Sequence, residues 1–351
     1  MSLDCSKALQ FLARCLIPLG LIGQATDFTN VSYDNGQGKT LHAYLAKPPD
    51  YMNDPTKKYP GAVILHAWNG MSEEPVYFAD LLARQGYVVI APDLFRNIAT
   101  SEINIPWNIA TTLSTPQHRM DQDVDAAISY LTGSVQNVDS TRVFSGPGFC
   151  FGGSQALNLS IRRAMAGTIT LYGANIDGLQ DPNNNDLWGE LGIRETQVLG
   201  IYGADDGAPT PDEARGFESA LNTRNIGNTV TIYDGVGHAF VSPKNHRAGQ
   251  SQAVEAWNQV VSVMNGVVSS GAGLSRRELD RPAHHNNLQR TNRPSWAWLW
   301  DHTMDMFQGK GHFSHFTGIW HHQKNEQGDH HPSAHKLRTR VSPRESKHAH
   351  A

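Results

Sequence analysis

The chain has 351 residues, 39% of them hydrophobic and 18% charged, with a net charge of −4. That length supports an ample core, while the acidic balance argues against a nucleic-acid surface. Three cysteines are too few for a disulfide scaffold.

Residues 1–25 are expected to be a signal peptide or an N-terminal extension. The apolar core Cys15-Leu16-Ile17-Pro18-Leu19-Gly20-Leu21-Ile22 has Lys7 and Arg14 ahead of it, and Gly23-Gln24-Ala25 supplies small residues before a cut. The core is too short to span a bilayer. Secretion is favoured over the alternative, a cytoplasmic enzyme with an amphipathic N-terminal helix. Cleavage after Ala25 would remove Cys5 and Cys15, leaving Cys150 as the sole thiol and no internal disulfide.

Residues 26–268 alternate apolar runs with helical patterns. Val31 to Lys47, broken at Asp34-Asn35-Gly36, reads as a β-hairpin. The strand Ala62 to Leu65 precedes His66-Ala67-Trp68-Asn69-Gly70, and Val76 to Gln85 has helical spacing. A second apolar run, Tyr87 to Ala91, leads into Pro92-Asp93-Leu94-Phe95. Further helices are expected over Gln122 to Leu131, Ser154 to Met165, Pro211 to Leu221 and Gln250 to Met264. Between them lie short runs at Val143-Phe144, Thr168 to Leu171, Gln197 to Tyr202 and Val230 to Tyr233. Such alternation predicts an α/β fold with a mostly parallel sheet covered on both faces.

The most informative segment is Gly148-Phe149-Cys150-Phe151-Gly152-Gly153. It follows a strand and opens a helix, the arrangement of a nucleophile elbow with cysteine in place of serine. Glycines two positions either side suit a turn so tight that side chains there would collide with neighbours. A cysteine nucleophile benefits from a base that favours the thiolate. Downstream in this domain there are two histidines, His238 and His246. His238 sits on the Gly-rich loop after Val230 to Tyr233, placed to reach the carboxyl edge of a parallel sheet. His246 lies in the polar stretch Pro243-Lys244-Asn245-His246-Arg247 and is expected to be solvated. An acid should follow the strand ending at Tyr202, where Asp205 and Asp206 compete.

Taken in order, these blocks resemble the dienelactone hydrolase family. The matching pieces are His66 to Gly70, Gln85 to Phe95, the cysteine elbow, Gly203-Ala204-Asp205-Asp206 and Gly237-His238-Ala239-Phe240. The resemblance implies an α/β-hydrolase fold, selects Asp206 as the acid, and implies a triad of Cys150, Asp206 and His238. It implies hydrolysis of a small-molecule ester or lactone without a cofactor. The oxyanion would be held by the backbone N–H groups of Phe151 and Trp68. Candidate substrate contacts are Trp68, Arg119, which flanks the helix from Gln122, and Tyr172, which follows the strand Thr168 to Leu171. Two departures stand out. Family members often carry Glu where this chain has Ala67, and the best-known members grip a substrate carboxylate with Ser and Arg where this chain has Ala239 and Ser242. The alternative reading is a catalytically weak binding protein on the same fold.

Residues 269–351 have a different texture. Residues 270–351 hold 12 of the 17 histidines, with 12 Lys and Arg against 7 Asp and Glu. Few branched aliphatics accompany them, so a disordered tail is expected. His321-His322, His330-His331 and His335 lack a tight metal-ligand spacing. Trp296, Trp298 and Trp300 form an apolar island whose partner the sequence does not name.

Overall fold

The turn at Asp34-Asn35-Gly36 closes on its own side chains. Asp34 Oδ1 accepts from the Gly36 N–H at 2.7 Å and Asn35 Oδ1 from the Lys39 N–H at 3.0 Å, the local bonding that makes Asx residues turn formers. It joins β1 (Val31–Asp34) to β2 (Thr40–Ala46) as an antiparallel pair. The computed structural model of the chain describes residues 28–96, 117–173, 197–271 and 273–275. The leader expected over residues 1–25, and the histidine and tryptophan clusters of the tail, lie outside the described residues.

Six more strands follow: β3 (Tyr59–Leu65), β4 (Val88–Pro92), β5 (Val138–Phe149), β6 (Gly167–Leu171), β7 (Gln197–Gly203) and β8 (Asn228–Tyr233). Among the described residues they form one sheet in the order β1-β2-β4-β3-β5-β6-β7-β8, parallel from β4 to β8. The helices are α1 (Glu73–Arg84), α2 (Gln117–Gly133), α3 (Phe151–Arg162), α4 (Pro211–Thr223), α5 (Pro243–Arg247) and α6 (Ser251–Ser269). None is long and apolar enough to cross a membrane.

Strand periodicity divides the core into two layers. In β3, Ala62 and Ile64 join Phe78 of α1 and Trp257 of α6, whereas Val63 and Leu65 join Val124 and Ile128 of α2. Both faces of the parallel sheet are therefore covered, as the apolar runs require. The helix starts follow local chemistry. The Ser72 hydroxyl accepts the Glu74 N–H, and Thr210 with Glu213 forms a capping box ahead of Pro211.

Two details depart from expectation. His246 is not a solvated loop residue: Ser242 caps the short helix α5, and His246 Nδ1 lies 2.9 Å from the Tyr77 hydroxyl, its ring edge-on to Phe78. The folded part also runs past residue 268, because buried Leu274 donates its N–H to the Thr141 carbonyl at 2.9 Å. A long-range partner overrode local polarity in both places.

Phe78 anchors the first of these layers, stacking on Phe149 at 5.0 Å and packing tilted against Trp257 at 4.5 Å. Phe78→Ala is expected to cost about 3–5 kcal/mol. Urea unfolding checks this, with a lowered midpoint and an unchanged slope.

Candidate active site

Cys150 stands where β5 ends and α3 begins, with φ 54° and ψ −116°. A non-glycine residue at positive φ is strained, and neighbouring backbone holds this one in place. The Cys150 N–H donates to the Leu171 carbonyl at 3.0 Å, and its own carbonyl accepts from Gly153 at 2.9 Å. The glycines explain how so sharp a turn fits. A Cβ on Gly148 would strike the Gly152 carbonyl oxygen, and one on Gly152 would strike the carbonyl oxygen of Leu65. Helix α3 thus crosses the ends of β3 and β5 at backbone distance. The Phe151 N–H, at the first position of that helix, has no intrahelical acceptor.

Parallel strands deliver the other groups to the same edge. The loops after β7 and β8 are tied together, with Ala204 N–H on the Tyr233 carbonyl at 2.8 Å and Asp205 N–H on the Val236 carbonyl at 3.0 Å. These bonds place Asp206 against His238, whose Nδ1 lies 2.8 Å from Asp206 Oδ2. A carboxylate only accepts, so Nδ1 carries the proton. Asp206 is buried and its second oxygen accepts the Ala208 N–H at 2.8 Å, whereas Asp205 is exposed. Of the two competing aspartates, Asp206 is the one that meets the imidazole.

His238 also interacts electrostatically with the Cys150 side chain. Burial opposes charge on the imidazole. The interactions with Cys150 and the bond to Asp206 outweigh it and hold the histidine well above its ordinary value. The ring of Tyr172 meets the imidazole edge-on at 5.0 Å, and its hydroxyl donates to the Val241 carbonyl at 3.0 Å. Tyr172 is fully buried. Its contact with the site is this edge-on packing against the imidazole.

Trp68 lies half-buried in the loop after β3 and packs against both core layers. Arg119 donates Nη2 to the Leu94 carbonyl at 2.9 Å, while Arg96 holds Asp123 through two bonds of 2.7 and 2.8 Å. The loop after β4 is thereby fastened to α2.

Two contributors were not singled out from sequence. His66 is fully buried and stands between two loops, its Nδ1 2.7 Å from the Ala67 carbonyl and its Nε2 accepting the Leu94 N–H at 3.1 Å. Burial lowers its proton affinity against the pull of Asp93, so the ring is neutral and stiffens the loop that carries Trp68. Its only linear signal is a polar residue ending a buried strand. The second is Glu74, which interacts electrostatically with His238 and Tyr172. Its acidic neighbour Glu73 looks identical in the sequence.

The close backbone crossing yields a contrast. Gly152→Ala is expected to cost at least about 3 kcal/mol, since carbonyl groups must move to admit the methyl group. At Gly207 nothing lies within 4 Å of an added Cβ, so Gly207→Ala should stay within about 0.5 kcal/mol of the parent. Paired thermal melts measure both.

Residues 41–268 match the Dienelactone hydrolase family. A Yersinia pestis protein named "Putative carboxymethylenebutenolidase" is 25% identical over 233 residues, covering 64% of this chain and 83% of that protein. A Saccharolobus solfataricus protein of the same name is 24% identical, covering 68% of this chain and 98% of the relative. Among solved structures, a dienelactone hydrolase-like promiscuous phosphotriesterase from metagenomic libraries superposes with TM-score 0.56 at 18% identity, covering 68% of this chain and 96% of that one. A propionate-bound thermophilic esterase from Thermogutta terrifontis gives TM-score 0.50 at 16% identity, with coverages of 71% and 97%. At these identities the structures speak for the fold, that of the α/β-hydrolases. The family match spans well over half of the chain, and the chain belongs to the dienelactone hydrolase family, a family of carboxylic ester and lactone hydrolases.

Proposed function

We propose that this hydrolase works by covalent catalysis through a triad of Cys150, His238 and Asp206. The observation that carries the proposal is the 2.8 Å Asp206–His238 hydrogen bond beside a cysteine in a strained elbow at φ 54°. With Nδ1 occupied by Asp206, the imidazole presents Nε2 to the thiol and takes its proton. The thiolate sulfur attacks the ester carbonyl, and the oxyanion accepts the N–H groups of Phe151 and Trp68. Collapse expels the alkoxide, which takes the proton from Nε2 and leaves a thioester on Cys150. Water then attacks that thioester while His238 accepts its proton. Collapse of this second intermediate releases the carboxylic acid and the thiolate, and the proton returns to the Cys150–His238 pair.

The roles of the remaining groups follow from their placement. Asp206 fixes the imidazole tautomer and stabilises its charge. Trp68, on the oxyanion loop, is the side chain proposed to contact substrate. Tyr172 acts through His238, and Arg119 acts through the Leu94 carbonyl that it braces.

Turnover of p-nitrophenyl acetate tests the triad. Cys150→Ala is expected to lose at least about a hundredfold in kcat/KM, and equal rates would sink the mechanism. Asp206→Asn should lose far more than Asp205→Asn, because Asp206 alone of the two bonds to the imidazole.

A further inference from the structure

The peptide unit that joins Ala67 to Trp68 is held by its oxygen. The Ala67 carbonyl accepts the Gly70 N–H at 3.1 Å and meets Nδ1 of the His66 ring at 2.7 Å. The far side of the ring decides which way the second bond runs. Nε2 accepts the Leu94 N–H at 3.1 Å, and burial keeps the imidazole neutral. The single ring proton therefore sits on Nδ1 and is donated to the carbonyl. In a planar trans peptide the C=O and N–H point in opposite directions. Two donors on the Ala67 oxygen thus also fix where the Trp68 N–H points. They polarise it as well, because hydrogen bonds in a chain strengthen one another.

The same residue also touches the elbow. His66 is fully buried, its ring edge-on to Phe95 at 4.8 Å and stacked on Phe151 at 6.5 Å. Its backbone carbonyl oxygen would lie 2.6 Å from a Cβ on Gly152. One imidazole is thus bonded to the peptide that carries one oxyanion donor and packed on the residue that carries the other. We infer that His66 is a positioning residue for the oxyanion hole: its Nδ1–H aims and polarises the Trp68 N–H toward the charge that develops on the substrate carbonyl oxygen. This rests on the reading of Cys150 as nucleophile and of Trp68 as an oxyanion donor. The bond to Leu94 has the supporting part, since it holds the ring in the one neutral tautomer that can donate to Ala67.

Two amide variants of the full chain separate aiming from bracing. Asn places a donor near the position of Nδ1, whereas Gln places its amide near that of Nε2, where it serves Leu94 rather than Ala67. With p-nitrophenyl acetate, His66→Gln should lose about tenfold to a hundredfold in kcat/KM, and His66→Asn should keep most of it. A trifluoromethyl ketone adds the Cys150 thiolate at its carbonyl carbon and leaves an oxyanion in the hole, so it should bind His66→Gln more weakly by a similar factor. Alkylation by iodoacetamide, in which the Cys150 sulfur displaces iodide and no oxyanion forms, should keep its wild-type rate in both variants. Equal losses in the two variants, or alkylation falling together with turnover, make His66 a structural strut alone and overturn the inference. So does unchanged turnover in His66→Gln. One check needs no variant to fold: nitrogen NMR of the wild type should find the His66 ring neutral with its proton on Nδ1, and a proton on Nε2 overturns the inference. Cys150→Ala, assayed on the same ester, keeps the two claims separate. Persistent turnover there removes the nucleophile, whereas lost turnover there with His66→Gln unaffected removes His66 alone.

Discussion

The close crossing of α3 over the ends of β3 and β5 is the constraint on which this site depends. The backbone at Gly148 and Gly152 approaches neighbouring carbonyl groups so closely that neither position has room for a Cβ. Strain at Cys150 is the consequence, and the surrounding strands carry it through the bond from its N–H to the Leu171 carbonyl. Because the helix starts within one residue of the strand, the Cys150 side chain stands above the sheet edge. The Phe151 N–H, without an intrahelical acceptor, lies next to it.

Around this fixed point the charges are arranged by burial and pairing. Asp206 is desolvated but satisfied, with one oxygen on His238 and the other on its own loop. Glu74 is half-buried at the start of α1, and burial raises its carboxyl to about 7 against the opposing pull of His238. His66 adds a third solution, a buried neutral imidazole used as a strut between the loops after β3 and β4.

The order of elements was legible because burial on both faces writes itself into apolar runs, and the helices between them carry their own start signals. The hairpin that turns at Gly36, the parallel strands and the five main helices all lie where the pattern places them, with ends shifted by a few residues. The shifts have local causes. Helix α1 begins at Glu73 because Ser72 caps it, three residues before the apolar spacing becomes visible. Helix α6 continues to Ser269 because its apolar stripe extends past Met264. His246 was misjudged because its neighbours in sequence are polar while its neighbours in space, Tyr77 and Phe78, are not.

By itself the sequence determined the fold class, the elbow and the histidine, since each is recorded in residue types at short range: glycines where backbone must approach backbone, and a Gly-rich loop after a strand. The family resemblance had already selected Asp206 over Asp205, and the structure sets Asp206 against the imidazole; only the tertiary structure put Tyr172 edge-on to that ring and left Glu74 half-buried while sending Glu73 to Arg247. Adjacent residues of one type are equivalent along the chain. They become different when the packing of α1, and of the loops after β6, β7 and β8, decides which of them loses water and which charge it then faces.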